Sequence, residues 1–431
     1  MKKKRVLIIT YYWPPSGGIG VHRCLKFAKY LKKQNWEVVV YTAENALYPY
    51  IDESNFKHVP QDITIIKHKI IEPFAFYKRF TGRKKNEPMS NPVHVRDKKQ
   101  SWKDKLAIWI RGNFFIPDAR SLWIKPSVKY LTKYLEKHPV DVLLSDGPPH
   151  TNTLIAARLS QRTGIPWLAD FQDPWTQVDY YKLFKITKWA DKKHRRLEQE
   201  AFQTAKKITI ASPTWKKDLE AIGAHHVEPI FWGYDEDDFI DIHPNKNPNE
   251  FVISHAGLFG FDRKPDNLFK ALAELKTEIP GFNKKLKLKL AGMIDFSIIQ
   301  SIEENGLSEN FINLGNLSRQ EALQLTLDSD LLLLPLNKSE NIMGRIPGKL
   351  FEQMRSKNPI LVIGPKGSDV AHIVESTQSG KSIEYEDFAS LKRFVNDVFE
   401  NKTNLRQTDI TPYSVENQVK QLSQYLNEIS Q

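Results

Sequence analysis

Val6-Leu-Ile-Ile-Thr10 leads through Tyr-Tyr-Trp-Pro14-Pro15-Ser16-Gly17-Gly18-Ile19-Gly20 into a helix-like stretch, Val21 to Lys33, and then a second β run, Glu37 to Thr42. A short β-branched run, a glycine-bearing turn, a helical pattern and another β run make one βαβ unit. The same alternation continues along the chain. Val140 to Ser145 reads as strand, Thr151 to Thr163 as helix, and Ile165 to Asp170, Ala205 to Ser212 and Pro229 to Phe231 as strands. Strands separated by helices indicate a parallel sheet covered on both faces.

The polar segment Asp241 to Asn249, with Pro244 and Pro248, has the composition of a linker, after which the pattern restarts. Phe251 to His255, Leu286 to Ala291, Phe311 to Leu314, Leu331 to Leu336 and Pro359 to Ile363 read as strands, with helices at Pro265 to Lys276 and Gly348 to Ser356. The expected organisation is an N-terminal domain over residues 1–240, a linker at 241–249 and a C-terminal domain over 250–412. A last amphipathic helix, about 413–431, carries Val415, Val419, Leu422, Leu426 and Ile429 on one face and is assigned to the first domain. A chain of 431 residues suits two such cores.

Composition narrows the function classes. One cysteine, Cys24, excludes an internal disulfide and a cysteine-rich zinc site. The opening MKKKRVLIIT is basic then apolar, like a signal peptide, but its apolar run of about five residues is too short, so it reads as a first strand. No run of about 18 apolar residues suggests a membrane span. A cytoplasmic protein is expected, peripheral at the inner face of a membrane. The net charge of +12 implies attraction to polyanions: phosphorylated substrates, anionic lipid or nucleic acid. Between Lys78 and Arg111 there are eleven Lys/Arg against three Asp/Glu, with Phe74, Phe76, Tyr77, Phe80, Trp102 and Trp109 in or beside the stretch. A second basic and aromatic stretch runs from Lys182 to Arg196 and includes Trp189. Residues 74–111 and 182–196 are therefore either solvated faces or contacts to an anionic membrane surface.

Two loops carry chemistry. Gly17 and Gly18 precede a helix N-terminus, where backbone amides approach an anion, although a tight chain reversal needs glycines equally. The loop lacks the G-x-G-x-x-G spacing, and the second strand ends in Val40-Tyr41-Thr42-Ala43 with no acidic residue for a ribose, which disfavours a nicotinamide dehydrogenase. In Gly344-Arg-Ile-Pro347-Gly348-Lys349-Leu-Phe-Glu352, Pro347-Gly348 opens a helix whose first turn puts Lys349 and Glu352 on one face. A lysine suits a diphosphate and a carboxylate suits ribose hydroxyls; an i,i+3 salt bridge is the plainer alternative.

Taken in order, these motifs resemble the retaining glycosyltransferases of family 4. The matching elements are Pro14-Pro15-Ser16-Gly17-Gly18, one residue shorter than the family's loop, the stretch Gly233 to Phe239, and Glu352 followed by Asn358-Pro359-Ile360-Leu361. The resemblance implies an α/β protein of GT-B architecture, two Rossmann-like domains facing each other across a cleft. It implies a nucleoside diphosphate sugar as donor, with no cofactor and no metal. By resemblance Glu352 holds the donor ribose, Arg263 or Lys264 neutralises the leaving diphosphate with help from Lys349, Leu317 reads the base, and Gly344 meets the sugar. Three departures stand out. Gly344 occupies the place of the family's first glutamate, Leu258 that of a phosphate-binding arginine, and Trp232 that of an asparagine.

In the first domain Asp170-Phe-Gln-Asp173-Pro174-Trp175 resembles a pattern of bacterial members, with Gln172 replacing an arginine. Asp173 and His150 are candidates for orienting the acceptor hydroxyl, or else a turn cap and a plain helix residue. The function expected is sugar transfer to a saccharide or lipid-linked acceptor in surface-polysaccharide synthesis, with no nucleic acid as partner. A nucleotide-sugar epimerase and a catalytically silent basic scaffold binding membrane or RNA are the alternatives.

Overall fold

The computed structural model describes residues 3–72 and 102–431. The chain forms two compact units. Among the described residues the first contains seven strands: β1 (Arg5–Ile9), β2 (Glu37–Ala43), β3 (Thr64–His68), β4 (Val142–Gly147), β5 (Trp167–Phe171), β6 (Lys207–Ile210) and β7 (Val227–Pro229). They make one sheet in the order β3-β2-β1-β4-β5-β6-β7, and every pairing is parallel. Alternation along β1 decides which helices cover each face. Leu7 and Ile9 join a cluster with helices Ile124–Lys137, His150–Thr163 and Lys188–Thr204, while Val6 and Ile8 join helices Ile19–Lys33 and Val415–Ile429. The last helix seals its face with Val415, Val419, Leu422 and Leu426, and Ser423 accepts a hydrogen bond from the Trp36 indole at 2.8 Å.

The second unit holds β8 (Phe251–Ala256), β9 (Leu286–Ala291), β10 (Phe311–Asn313), β11 (Leu331–Pro335), β12 (Ile360–Ile363) and β13 (Gly380–Ile383), all parallel in the order β10-β9-β8-β11-β12-β13. Both sheets reverse winding direction beside their first strand, between β1 and β4 and between β8 and β11. Open α/β sheets hold ligands at such switch points, outside the carboxyl ends of the strands. Two Rossmann-like domains are thus present.

Two strands escape the sequence reading. β3 is an edge strand with only Ile66 buried, so its five residues lack the apolar run that marks a covered strand. β13 begins at Gly380, whose missing Cβ would stand 2.0 Å from the Ile360 carbonyl oxygen. Close backbone approach demands the glycine and hides the strand.

The boundary also differs from the expected linker. The first unit ends at Trp232 and the second begins at Gly233, so residues 233–249 belong to the second unit. Phe239 and Ile242 pack with Leu323 and Leu327, and Lys246 donates to Asn358 at 2.8 Å. The polar composition of 241–249 describes a segment bound along the surface of its own unit rather than a free connector. Residues 415–431 return to the first unit.

Candidate functional site

At the second switch point a cavity of about 340 Å³ opens among the loops that follow β8, β9 and β10 and the helix Lys349–Ser356. Two glycines shape its floor. Gly257 has φ +119°, and a Cβ there would lie 2.9 Å from the Lys349 ammonium; Gly292 has φ +100°, and its Cβ would lie 2.5 Å from the Gly257 carbonyl oxygen. Neither position accommodates a side chain, so the backbone at Gly257 and Gly292 lies bare along the cavity.

Lys349, in the first turn of its helix, reaches back across this floor. Its Nζ donates to the Ala256 carbonyl at 2.7 Å and lies 3.3 Å from His255 Nε2. Burial, reinforced by the positive charge of Arg263 and opposed by Glu352, pulls the Lys349 pKa down to about 7. His255 is held well below the usual histidine range by burial and by Lys349. Neutral, with Nδ1–H assigned as donor to the Leu333 carbonyl at 3.1 Å, it turns Nε2 toward the ammonium as acceptor.

One turn along the helix, Glu352 also lines the cavity. The Arg319 guanidinium contacts its Oε1 at 2.7 Å and simultaneously Asp238 Oδ2 at 2.6 Å. Burial disfavours the Arg319 charge, but Glu352 and Asp238 outweigh it and raise its pKa. The Lys349–Glu352 salt bridge considered from sequence is replaced by two separate attachments, Lys349 to the β8 end and Glu352 to Arg319. A capping box positions Arg319: Ser318 accepts from the Glu321 amide, and Glu321 accepts from the Ser318 amide at 2.8 Å. The motif Ser318-x-x-Glu321 is legible in sequence as a helix start; that its first residue points a cation at Glu352 is decided only by the β10–helix turn. His255 was hidden by its place at the end of an ordinary strand.

Of the other donor candidates, Leu317 lines the same cavity beside Asn316. Arg263 is bonded to Asp262 at 3.2 Å and acts on Lys349 and His255 through its charge, whereas Lys264 pairs with Asp266 at 3.0 Å. Arg263 is therefore the member of that pair tied electrostatically to the site. Gly344 is buried at the end of the 3-10 turn Ile342–Gly344, with the half-exposed Met343 before it.

In the first unit, Gly17 owes its identity to a neighbour. Its amide donates to the Tyr50 carbonyl at 2.9 Å, and a Cβ would sit 2.1 Å from the Tyr50 ring. This amide is engaged within the chain. Gly18, with φ +80° and open space where a Cβ would point, caps helix Ile19–Lys33. His150 opens helix His150–Thr163, is only 7% exposed, and stacks on Trp175 with ring centres 4.3 Å apart. Burial lowers its pKa to about 3, with His194 adding to the effect, so the ring is neutral. Asp173 is half-buried in the turn after β5. Between these lies a polar cluster at the tips of β1, β4 and β5. Arg23 grips Asp170 through Nε at 2.6 Å and Nη2 at 2.7 Å, and Asp146 accepts from Asn152 at 2.7 Å and from Thr10 at 3.2 Å. Burial lifts the Asp146 pKa to about 7, and Asp170 adds to the rise.

Residues 73–101, which include most of the first basic and aromatic stretch, lie outside the described residues. In the second stretch, Trp189 is 61% exposed and Lys193 lies over its ring at 5.1 Å. Among the described residues no helix is long and apolar enough to cross a membrane.

No family model matches the chain, and no curated protein matches it. Solved structures do. The chain is similar in fold to sucrose-phosphate synthase from Thermosynechococcus elongatus, at TM-score 0.56 and 13% identity over 99% of this chain and 96% of that one. It is similar to WaaG, a glycosyltransferase involved in lipopolysaccharide biosynthesis, at TM-score 0.53 and 14% identity over 99% and 97%. A putative UDP-N-acetylglucosamine 2-epimerase from Listeria monocytogenes matches at TM-score 0.55 and 12% identity over 98% and 95%. The architecture is GT-B.

Proposed function

We propose that the protein is a glycosyltransferase that moves a sugar from a nucleoside diphosphate sugar to a hydroxyl of a saccharide or lipid-linked acceptor. The observation that carries this reading is the placement of Lys349, Glu352 and Leu317 around one cavity at the β8/β11 switch point. The cavity matches a donor in parts. Lys349, with the field of Arg263, meets the diphosphate; Glu352, aligned by Arg319, accepts from ribose hydroxyls; Leu317 and Asn316 flank the base. In the reaction the acceptor oxygen bonds to the anomeric carbon, the bond from that carbon to the phosphate oxygen breaks, and the nucleoside diphosphate departs with the electron pair. The hydroxyl proton passes to the phosphate oxygen released from the anomeric carbon. Fixed cations stabilise that charge most in the transition state, which lowers the barrier.

The reading includes retention of the anomeric configuration, which rests on the family 4 resemblance, and independence of metal and cofactor, which rests on Arg263, Lys264 and Lys349 as the cations that meet the leaving diphosphate. It places the protein in the cytoplasm, against an anionic membrane face through 74–111 and 182–196, in the synthesis of a surface polysaccharide. Asp173 and His150 are assigned to the acceptor side and Gly17 and Gly18 to the donor.

A thermal-shift screen of nucleoside diphosphates and their sugars tests the donor site, because a ligand that binds only the folded state raises its melting temperature. A shift with one base, abolished in Glu352→Ala, is expected; no shift with any of them overturns the reading. The epimerase matches at a similar level, which makes the acceptor decisive. Nucleoside diphosphate released only when acceptor is present supports transfer, and turnover of donor without acceptor supports epimerisation.

A further inference from the structure

A second cavity, of about 300 Å³, lies in the first unit, where helices Ile124–Lys137, His150–Thr163 and Lys188–Thr204 meet. Its floor includes Leu154 and Leu197, both buried, and its walls carry Lys125, Arg158, Lys193 and Arg196. Arg158 shares its charge with Glu200 at 3.3 Å. Four cations around an apolar floor fit an anionic headgroup followed by hydrocarbon.

The surroundings indicate where such a ligand comes from. Leu122 lines the same cavity yet is 54% exposed, and Lys193 on its wall lies over the 61% exposed Trp189. Phe114, 63% exposed, stands two residues before Ile116 of the cavity lining, and Asn113 beside it accepts from the Thr187 amide, at the start of helix Lys188–Thr204, at 2.7 Å. Exposed Trp, Phe and Leu beside lysines are the chemistry of a membrane interface. We infer that this cavity seats the phosphate headgroup of an anionic membrane lipid, with Leu122, Phe114 and Trp189 entering the interface around it. The inference deepens the membrane-facing part of the proposed function, and it is tested without any transfer activity.

The test is sedimentation of the full chain with phosphatidylcholine vesicles with and without phosphatidylglycerol. Wild type is expected to bind the anionic vesicles. Lys193→Gln/Arg196→Gln should bind about thirtyfold more weakly, the equivalent of about 1 kcal/mol per cation at an anionic surface. Lys125→Gln/Arg196→Gln serves as a second variant should the first fold poorly, as judged by circular dichroism and melting. A control pair, Lys33→Gln/Lys420→Gln, removes equal charge from the helices covering the opposite face of the sheet. There screening over about 8 Å limits the loss to about twofold. Equal losses in the cavity and control variants overturn the proposal, since net charge alone then explains binding. So does a melting-temperature rise of wild type with free glycerol phosphate without vesicle binding, which marks a soluble-anion site.

Discussion

Raising the pH from 6.5 to 8.5 should weaken donor binding, and Lys349 sets the size of the effect. In the free protein its pKa is about 7 because burial and Arg263 disfavour the ammonium. A bound diphosphate reverses that balance. One unit charge at about 4 Å contributes about 4 kcal/mol at an effective dielectric of about 20, enough to lift the pKa by about 3 units. The complex therefore keeps its proton across the window while the free protein loses it. The sign follows: binding takes up a proton above pH 7 and weakens as pH rises, by up to tenfold per unit. Between pH 6.5 and 8.5 the dissociation constant should rise about 25-fold, equivalent to about 2 kcal/mol. Isothermal titration with the donor found by the screen, in buffers of different ionisation enthalpy, reads the affinity and the proton uptake together. Lys349→Arg should abolish the slope, because a guanidinium stays charged throughout. An affinity constant within twofold across the window, or the same slope in Lys349→Met, would refute the argument.

Arg319→Met leaves Glu352 and Asp238 without their shared cation, so donor affinity should fall about tenfold or more with little change in turnover at saturation, read from a KM against kcat comparison. Gly292→Ala forces a Cβ to within 2.5 Å of the Gly257 oxygen at a positive φ, and should cost about 2 kcal/mol or more in a urea melt while spoiling the floor of the site. Arg23→Met strands the buried Asp170 carboxylate, whose side chain is 1% exposed, and should destabilise the first unit by about 3–5 kcal/mol in the same assay. Asp146, with a folded pKa raised to about 7 from 3.8, contributes stability that is complete below pH 3.8 and lost as pH rises through 7. Urea melts at pH 4.5 and 7.5 should show that loss in wild type and a flatter profile in Asp146→Asn.

Much of the fold is legible because burial on both faces leaves a strong signal in sequence. Val6 to Thr10, Leu286 to Ala291 and Leu331 to Leu336 are continuous or alternating apolar runs, and all three are strands within a residue or so of the reading. β3 and β13 are missed for opposite reasons, one too exposed to need apolar residues and the other too close to its neighbour to carry a side chain at Gly380. Within the site, Lys349 and Glu352 are legible because helical spacing alone sets them on one face. Arg319 and His255 are not, because each meets its partner across a loop or a strand crossing that spacing cannot express.

By itself the sequence determined two α/β halves, the helix that bears Lys349 and Glu352, and the excess of positive charge. These follow from periodicity, from turn residues and from composition, all properties of neighbours along the chain. Tertiary structure alone decided that the boundary falls at Trp232 and Gly233, that Gly17 answers to Tyr50, and that Arg319 rather than Lys349 holds Glu352. Only it, too, set Lys125, Arg158, Lys193 and Arg196 around one cavity. Each of those depends on how closely distant segments approach, and parallel sheets bring together residues that local pattern leaves far apart.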